Sequence, residues 1–109
     1  MKKLPDSVTL IEVGPRDGFQ NIKAFIPTES KLAIIGALAA AGIPEMELTS
    51  FVSPKAIPQM SDAHEVVEGV STMPGFGDCQ KIVLVPNMRG AQDAFVAGIR
   101  TVSYVISAS

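Results

Sequence analysis

The sequence has few of the residues that build disulfides, metal clusters and aromatic surfaces. It contains one cysteine, one histidine, one tyrosine and no tryptophan among its 109 residues. Cys79 has no second cysteine with which to form an intrachain disulfide, so we expect a reducing, cytoplasmic setting. His64 is the single histidine, and a lone histidine in a predicted helix is more often an exposed helix residue than a metal ligand.

The chain also lacks an excess of basic charge and any long apolar run. Nine Lys and Arg residues against eleven Asp and Glu residues give a formal charge of −2, so we expect no nucleic-acid partner. No apolar segment approaches the roughly 18 residues of a membrane span, so we expect no membrane partner. Residues 1–13 have neither a long apolar region nor a small-residue cleavage site, and they do not predict a signal peptide.

What remains is a composition that can form a core. Hydrophobic residues make up 47% of the chain and charged residues 18%, which is typical of a globular domain. The glycines and prolines cluster between short apolar runs and therefore separate secondary-structure elements. We interpret residues 1–109 as part of a single domain.

The apolar runs alternate between strand and helix patterns. Strands are predicted at 8–13, 45–51, 81–85 and 101–106, and the first is expected to be buried on both faces. Helices are predicted to open at 27–30 and to cover 63–69 and 90–97. Thr28 is the expected cap of the first helix, Ser61 or Asp62 that of the second, and Gly42 the end of the first.

This alternation predicts an α/β fold with a parallel sheet and right-handed crossovers. Four strands and three helices are about half of a (β/α)₈ TIM barrel, which has roughly 250 residues. A doubly wound sheet would need another helix after its last strand. We therefore expect the first half of a TIM barrel, truncated after its fourth strand.

Polar residues gather where the predicted strands end, the edge at which such folds place their chemistry. They are Arg16, Asp17 and Gln20 after the first strand, Glu47, Thr49 and Ser50 in the second, Asn87 after the third, and Ser107 and Ser109 after the fourth. Since the ends of parallel strands share one mouth, we expect these side chains to converge.

The side chains in the first turn suggest a metal and oxyanion site. Asp17 offers a hard oxygen ligand to Mg²⁺ or Mn²⁺, and Arg16 can polarise a carbonyl or hold a carboxylate. Glu47 on a buried strand needs a partner, and Arg16 is the obvious one. The alternatives stay open at this point: an Arg-Asp turn is more often a solvated ion pair, and Glu47 can be a structural carboxylate.

Three stretches, VGPRDGFQN, MELTSFVSPKAIPQM and LVPN, resemble the N-terminal half of the hydroxymethylglutaryl-CoA lyase family. That family belongs to a superfamily of metal-dependent barrel lyases and acyl-CoA condensing synthases. The resemblance implies retro-aldol cleavage of 3-hydroxy-3-methylglutaryl-CoA, or a close acyl-CoA analogue, to acetyl-CoA and acetoacetate, as in leucine degradation. It also implies a homodimer for the full-length protein.

The resemblance assigns roles to individual residues. It implies that Asp17 binds the divalent metal, that Arg16 stabilises the enolate and that Glu47 orients Arg16. Gln20 and Ser50 match positions that line the substrate mouth. Ile22 departs from the pattern, because the lyases commonly have an acidic residue there.

The family's remaining metal ligands, a His-x-His pair and an asparagine, and its late cysteine have no counterpart in these residues. We therefore expect the 109 residues alone to have little or no lyase activity. Two alternatives remain: a condensing synthase that joins an acyl-CoA to a keto acid, and a non-catalytic half-barrel that binds a partner through its open edges.

Overall fold

The computed structural model describes residues 3–106, in which four strands form one sheet. They are β1 (Ile11–Glu12), β2 (Glu45–Ser50), β3 (Gln80–Val85) and β4 (Thr101–Tyr104). Neighbouring strands are all parallel, and their spatial order is the chain order, β1-β2-β3-β4.

Three α-helices connect the strands: α1 (Thr28–Ala40), α2 (Ala63–Ser71) and α3 (Met88–Val96). Two short helical turns precede α1 and α2, at Gly14–Gly18 and Pro58–Met60. The predicted alternation of strands and helices is confirmed, with boundaries that differ by a few residues.

The consecutive strand order decides how the helices are arranged. Each right-handed crossover moves one strand further in the same direction, so α1, α2 and α3 lie on the same face of the sheet. A doubly wound sheet would reverse direction at a switch point and place helices on both faces. The described sheet has no such reversal.

The core lies between the helices and this face of the sheet. Its buried side chains come from α1, α2, β2, β3 and α3: Ile35, Ala39, Val66, Val67, Val70, Met46, Leu48, Val83, Val85 and Ala94. The core holds the backbone of β2 and β3 rigid, and their ends carry several of the candidate site residues.

The expectation that the first strand is buried on both faces is wrong. Only Ile11 and Glu12 pair with β2, and the side chains of Val8 and Leu10 are 76% and 67% exposed. The reason is position, since β1 is an edge of the described sheet and its apolar residues have no neighbour on one side. Apolar residues at the other edge, including Val102, are exposed as well.

The predicted cap of α1 is wrong, and the predicted cap of α2 has the right position without the expected side-chain bond. Pro27 occupies the position before α1, while the Thr28 hydroxyl donates to Asp62 Oδ2 at 2.6 Å. Asp62 precedes α2 but makes no capping hydrogen bond. Gly42 does end α1 with a positive φ of 91°, as predicted.

No helix within residues 3–106 is long and apolar enough to cross a bilayer.

Candidate functional site

The candidate site is built on the turn that follows β1. The Val13 carbonyl accepts hydrogen bonds from the amides of Arg16 and Asp17, at 3.2 and 2.7 Å. The Gly14 amide donates to Glu12 Oε2 at 3.0 Å. These bonds wind the chain into one wide helical turn, which places the Arg16 and Asp17 side chains at the end of the strand.

Arg16 extends from this turn to the neighbouring strand. Its Nε lies 2.9 Å from Oε1 of Glu47 in β2. Both side chains are mostly buried, with 18% and 11% of their surfaces exposed. A charge-assisted bond in this setting fixes the direction of the guanidinium. The sequence-based expectation that Arg16 and Glu47 are partners agrees with this geometry.

The carboxylate of Asp17 is the accessible member of the group. Its side chain is 54% exposed, and Oδ1 lies 3.4 Å from Nη1 of Arg16. The side-chain Nδ2 of Asn21 donates to the Asp17 carbonyl at 2.9 Å and lies 3.5 Å from Oδ1. The carboxylate is therefore loosely held and can accept another ligand.

Whether a metal can bind here depends on which side chains are available to coordinate it. Within residues 3–106, no three His, Cys, Asp or Glu side chains are grouped closely enough to hold a metal. Glu47 is engaged by Arg16, and Glu12 accepts from the Gly14 backbone. Asp17 therefore offers one hard oxygen to a divalent cation such as Mg²⁺ or Mn²⁺, and a complete metal site would need further ligands.

Two other predicted site residues carry buried polar atoms that lack a partner. Within the described part of the chain, neither Ser50 Oγ nor Gln20 Oε1 makes a hydrogen bond. Ser50 is fully buried at the end of β2. A buried polar atom without a partner costs roughly 1–3 kcal/mol, so a bound ligand that supplied the missing bond would recover that free energy.

Thr49 and Asn87 are engaged in local structure rather than free at the mouth. The Thr49 hydroxyl lies 3.5 Å from Met60 Sδ. Asn87 Oδ1 accepts from the Gly90 amide at 2.9 Å, so this side chain caps α3. Ser107 and Ser109 lie outside the described residues.

Sequence reasoning assigned no role to Glu12 or Asn21, which support the turn. The residue types alone do not indicate this role, because both side chains bind backbone groups, and every residue has those. The bonded groups lie within four positions along the chain. The GPRDG pattern carries part of the signal, since a Cβ on Gly14 would lie 3.1 Å from Glu12 Oε2. A side chain at position 14 would therefore crowd the Glu12 carboxylate.

Cys79 precedes β3 and His64 lies in α2. Cys79 is buried beside the start of β3, and burial raises the pKa of its thiol; nearby Lys81 partly opposes the shift and Glu45 adds to it. A protonated, buried thiol is a poor nucleophile. His64 is exposed and stacks on Phe51, with ring centroids 4.7 Å apart.

Comparison with known families gives this turn its context. The family model described as HMGL-like matches residues 7–109. The chain belongs to the HMGL-like family. Rat mitochondrial hydroxymethylglutaryl-CoA lyase is 47% identical over all 109 residues, which correspond to 33% of its own length. Zebrafish cytoplasmic 3-hydroxy-3-methylglutaryl-CoA lyase is 45% identical, again over the whole chain and 32% of its own length.

Solved structures of HMG-CoA lyases have the same fold. The enzyme from Bacillus subtilis superposes with a TM-score of 0.85 at 43% identity, over 96% of this chain and 34% of its own. The enzyme from Acinetobacter baumannii, in complex with coenzyme A and 3-methylmalate, gives 0.87 at 38% identity, over 100% and 35%. The four parallel strands are therefore the N-terminal half-barrel of a TIM barrel, as predicted.

The chain spans about a third of the length of these relatives. The relatives include both mitochondrial and cytoplasmic enzymes, so the cytoplasmic location of this chain stays a prediction. Its single-domain organisation and the homodimer likewise stay predictions.

Proposed function

We propose that this chain supplies the oxyanion-stabilising part of a carbon–carbon lyase that acts on 3-hydroxy-3-methylglutaryl-CoA or a close analogue. The products would be acetyl-CoA and acetoacetate. The observation that carries the proposal is the Arg16 guanidinium, anchored by Glu47 at 2.9 Å beside the accessible carboxylate of Asp17. Family membership supports the substrate class.

Arg16 fits the charge that develops in this reaction. When a base removes the proton of the substrate's 3-hydroxyl, C3 becomes the ketone carbon of acetoacetate as the bond between C2 and C3 breaks. The electrons of that bond move onto the thioester carbonyl oxygen as an enolate. The enolate is then protonated to give acetyl-CoA. A guanidinium whose direction is already fixed stabilises that oxyanion without reorganising during the step. Glu47 contributes by holding Arg16 in that direction.

Asp17 is the residue that would hold Mg²⁺ or Mn²⁺ in this proposal. A divalent ion supplies Lewis-acid polarisation and orientation of substrate oxygens. The carboxylate can take this role because it is exposed and its contacts, at 3.4 and 3.5 Å, are long. A short ion pair to Arg16 would have competed with the metal.

Ser50 and Gln20 are suited to binding the acyl part of the substrate. Each has a buried oxygen that lacks a hydrogen-bond partner within residues 3–106. A substrate hydroxyl can donate to either oxygen, and the Ser50 hydroxyl can also donate to a substrate carboxylate. Sites built in this way reject analogues that lack the matching group.

The 109 residues alone are proposed to have little or no activity. One carboxylate makes a weak magnesium site, because affinity depends on the number and geometry of the ligands. A metal-dependent cleavage rate well above background from the purified chain would contradict this part of the proposal.

The proposal is tested by joining this chain to the remaining two thirds of the Bacillus subtilis relative. The fused polypeptide receives 3-hydroxy-3-methylglutaryl-CoA with Mg²⁺ or Mn²⁺, and acetoacetate is measured. We expect formation that stops with a chelator and returns when the metal is restored. A folded fusion that forms no acetoacetate would overturn the lyase proposal.

The same fusion tests the synthase alternative. Acetyl-CoA is offered together with a panel of 2-keto acids, and free coenzyme A is measured. We expect no release above background. Release that depends on a keto acid, without cleavage of the lyase substrate, would assign the chain to the condensing branch.

A further inference from the structure

A second network of short hydrogen bonds lies outside the turn of Arg16 and Asp17. Its centre is Lys31 on α1, whose side chain is almost completely buried. Lys31 Nζ lies 2.6 Å from Asp62 Oδ1 and 2.6 Å from the carbonyl oxygen of Gln59. The other Asp62 oxygen accepts from Thr28 at 2.6 Å. The mechanism proposed above uses none of these groups.

The position of Asp62 makes this network unusual. An aspartate before a helix normally accepts from the first backbone amides of that helix. Asp62 makes no such bond to α2 and gives both oxygens to side chains of α1. The network therefore joins the start of α1 to the start of α2, the two points where the loops after β1 and β2 enter their helices.

Gln59 carries the connection from this buried pair towards the candidate site. Its carbonyl is held by Lys31, and its side-chain Nε2 donates to the Ile22 carbonyl at 3.0 Å. The next residue back, Asn21, donates its side-chain amide to the Asp17 carbonyl and lies 3.5 Å from Oδ1. Hydrogen bonds and the peptide between Asn21 and Ile22 thus connect the buried ammonium to the residue that carries the Asp17 carboxylate.

We propose that Gln59 is a positioning residue for Asp17, and that the buried Lys31–Asp62 pair holds Gln59 in place. The loop after β2 would then fix the segment after β1 and hold the Asp17 carboxylate in one position. The proposal rests on the role given to Asp17 above, although its structural part can be tested separately.

The unusual residue at position 22 is compatible with this role. The contact from Gln59 uses the backbone carbonyl of Ile22, and the Ile22 side chain is 45% exposed. A change of side chain at position 22 therefore leaves the link between the loops intact.

The test compares two glutamines in the intact chain. Gln59→Met keeps the length and bulk of the side chain but cannot donate a hydrogen bond. Gln80→Met is the matched control, because Gln80 Nε2 likewise donates across elements, to Thr101 Oγ1 at 2.8 Å, beside the start of β3. Hydrogen exchange is followed at the backbone amides of Asn21 and Ile22, and unfolding is followed by urea denaturation.

We expect Gln59→Met to speed exchange of these two amides by about tenfold, as a local opening does. The urea midpoint should stay close to that of the unaltered chain, and Gln80→Met should leave the exchange unchanged. Lys31→Met should speed exchange of these two amides by a larger factor than exchange of the core amides, which report its loss of global stability. Unchanged exchange in Gln59→Met, or an acceleration spread evenly over the core, would overturn the proposal, since the second result marks a purely structural role.

Binding of Mn²⁺, followed by electron paramagnetic resonance in the fused polypeptide, adds a second readout. Gln59→Met should weaken this binding by about tenfold, as the loss of outer supports of a metal ligand does, while Gln80→Met should not. If the unaltered fusion binds no Mn²⁺, the role of Asp17 in the proposed function fails, and the exchange experiment alone decides whether Gln59 holds the segment.

Discussion

Arg16 Nε and Glu47 Oε1 lie 2.9 Å apart although 31 positions separate the two residues in the chain. Arg16 lies in the turn after β1, and Glu47 lies inside β2. The contact is possible because β1 and β2 are parallel neighbours, which brings the end of β1 beside this part of β2. It converts a flexible charged side chain into a group with a fixed direction, as stabilisation of an oxyanion needs.

The first prediction concerns the energy of this contact. In a double-mutant cycle on the chain, Arg16→Met and Glu47→Gln should show a coupling energy of about 1 to 2 kcal/mol, because a largely buried charge pair is lost. The free energy of unfolding from urea titration is the measurement. Arg100→Met is the control, since Arg100 donates to backbone carbonyls and should be additive with Glu47→Gln.

The second prediction concerns the buried pair of Lys31 and Asp62. Lys31→Met should lower the free energy of unfolding by about 3 kcal/mol, because it leaves a buried carboxylate without its cation. Adding Asp62→Asn should recover part of that loss. Lys55→Met removes an exposed lysine and should change stability by less than about 0.5 kcal/mol. Equal effects of the two lysine variants would contradict the prediction.

The third prediction concerns Gly90, at the start of α3. A Cβ there would lie 2.9 Å from Pro86 Cδ and 3.2 Å from the Phe51 carbonyl oxygen. Gly90→Ala should therefore lower the thermal stability of the chain, by a free energy of about 2 kcal/mol. Gly18→Ala is the control, since a Cβ there meets nothing within 4 Å, and a similar loss in both variants would argue against crowding at Gly90.

The fourth prediction concerns pH and Cys79. Burial raises the pKa of this thiol, so the folded chain keeps its proton at a pH where the unfolded chain has lost it. Stability from this group is complete below the unfolded pKa of about 8.5 and falls as the pH rises towards the higher folded pKa.

The unaltered chain should therefore lose stability relative to Cys79→Ala as the pH rises from about 7 to about 9.5. Urea midpoints at the two pH values measure it, and the variant corrects for the titration of other groups. A constant difference would show that burial does not raise this pKa.

Local pattern was sufficient to predict most of the fold. The alternation of apolar runs predicted the order of strands and helices, and Gly42 marked the end of α1. The exposure of Val8 and Leu10 could not be predicted, because it depends on which strands lie beside β1. Asp62 has the predicted position before α2 but makes no capping bond there, because Thr28 and Lys31, from a distant part of the chain, bind its oxygens.

Site residues could be predicted where the chemistry of the side chain and its position at a strand end indicated the same role. Arg16 and Glu47 follow from the need of a buried carboxylate for a partner. Asn87 follows a strand, which predicted a place in the site, but its side chain caps α3 instead. Its position three residues before Gly90 could have indicated this capping role. Gln59 gave no signal, because its role depends on a loop that folds against α1.

The central claim is that Asp17 and Arg16 act together on the substrate's developing charge. Its most direct measurement is the turnover of 3-hydroxy-3-methylglutaryl-CoA by the fused polypeptide carrying Arg16→Lys or Asp17→Asn. We predict that kcat falls about 10²- to 10³-fold in each variant, while Lys55→Met keeps its activity and all three remain folded. If the fusion cleaves the substrate and both site variants keep its kcat, the claim is contradicted.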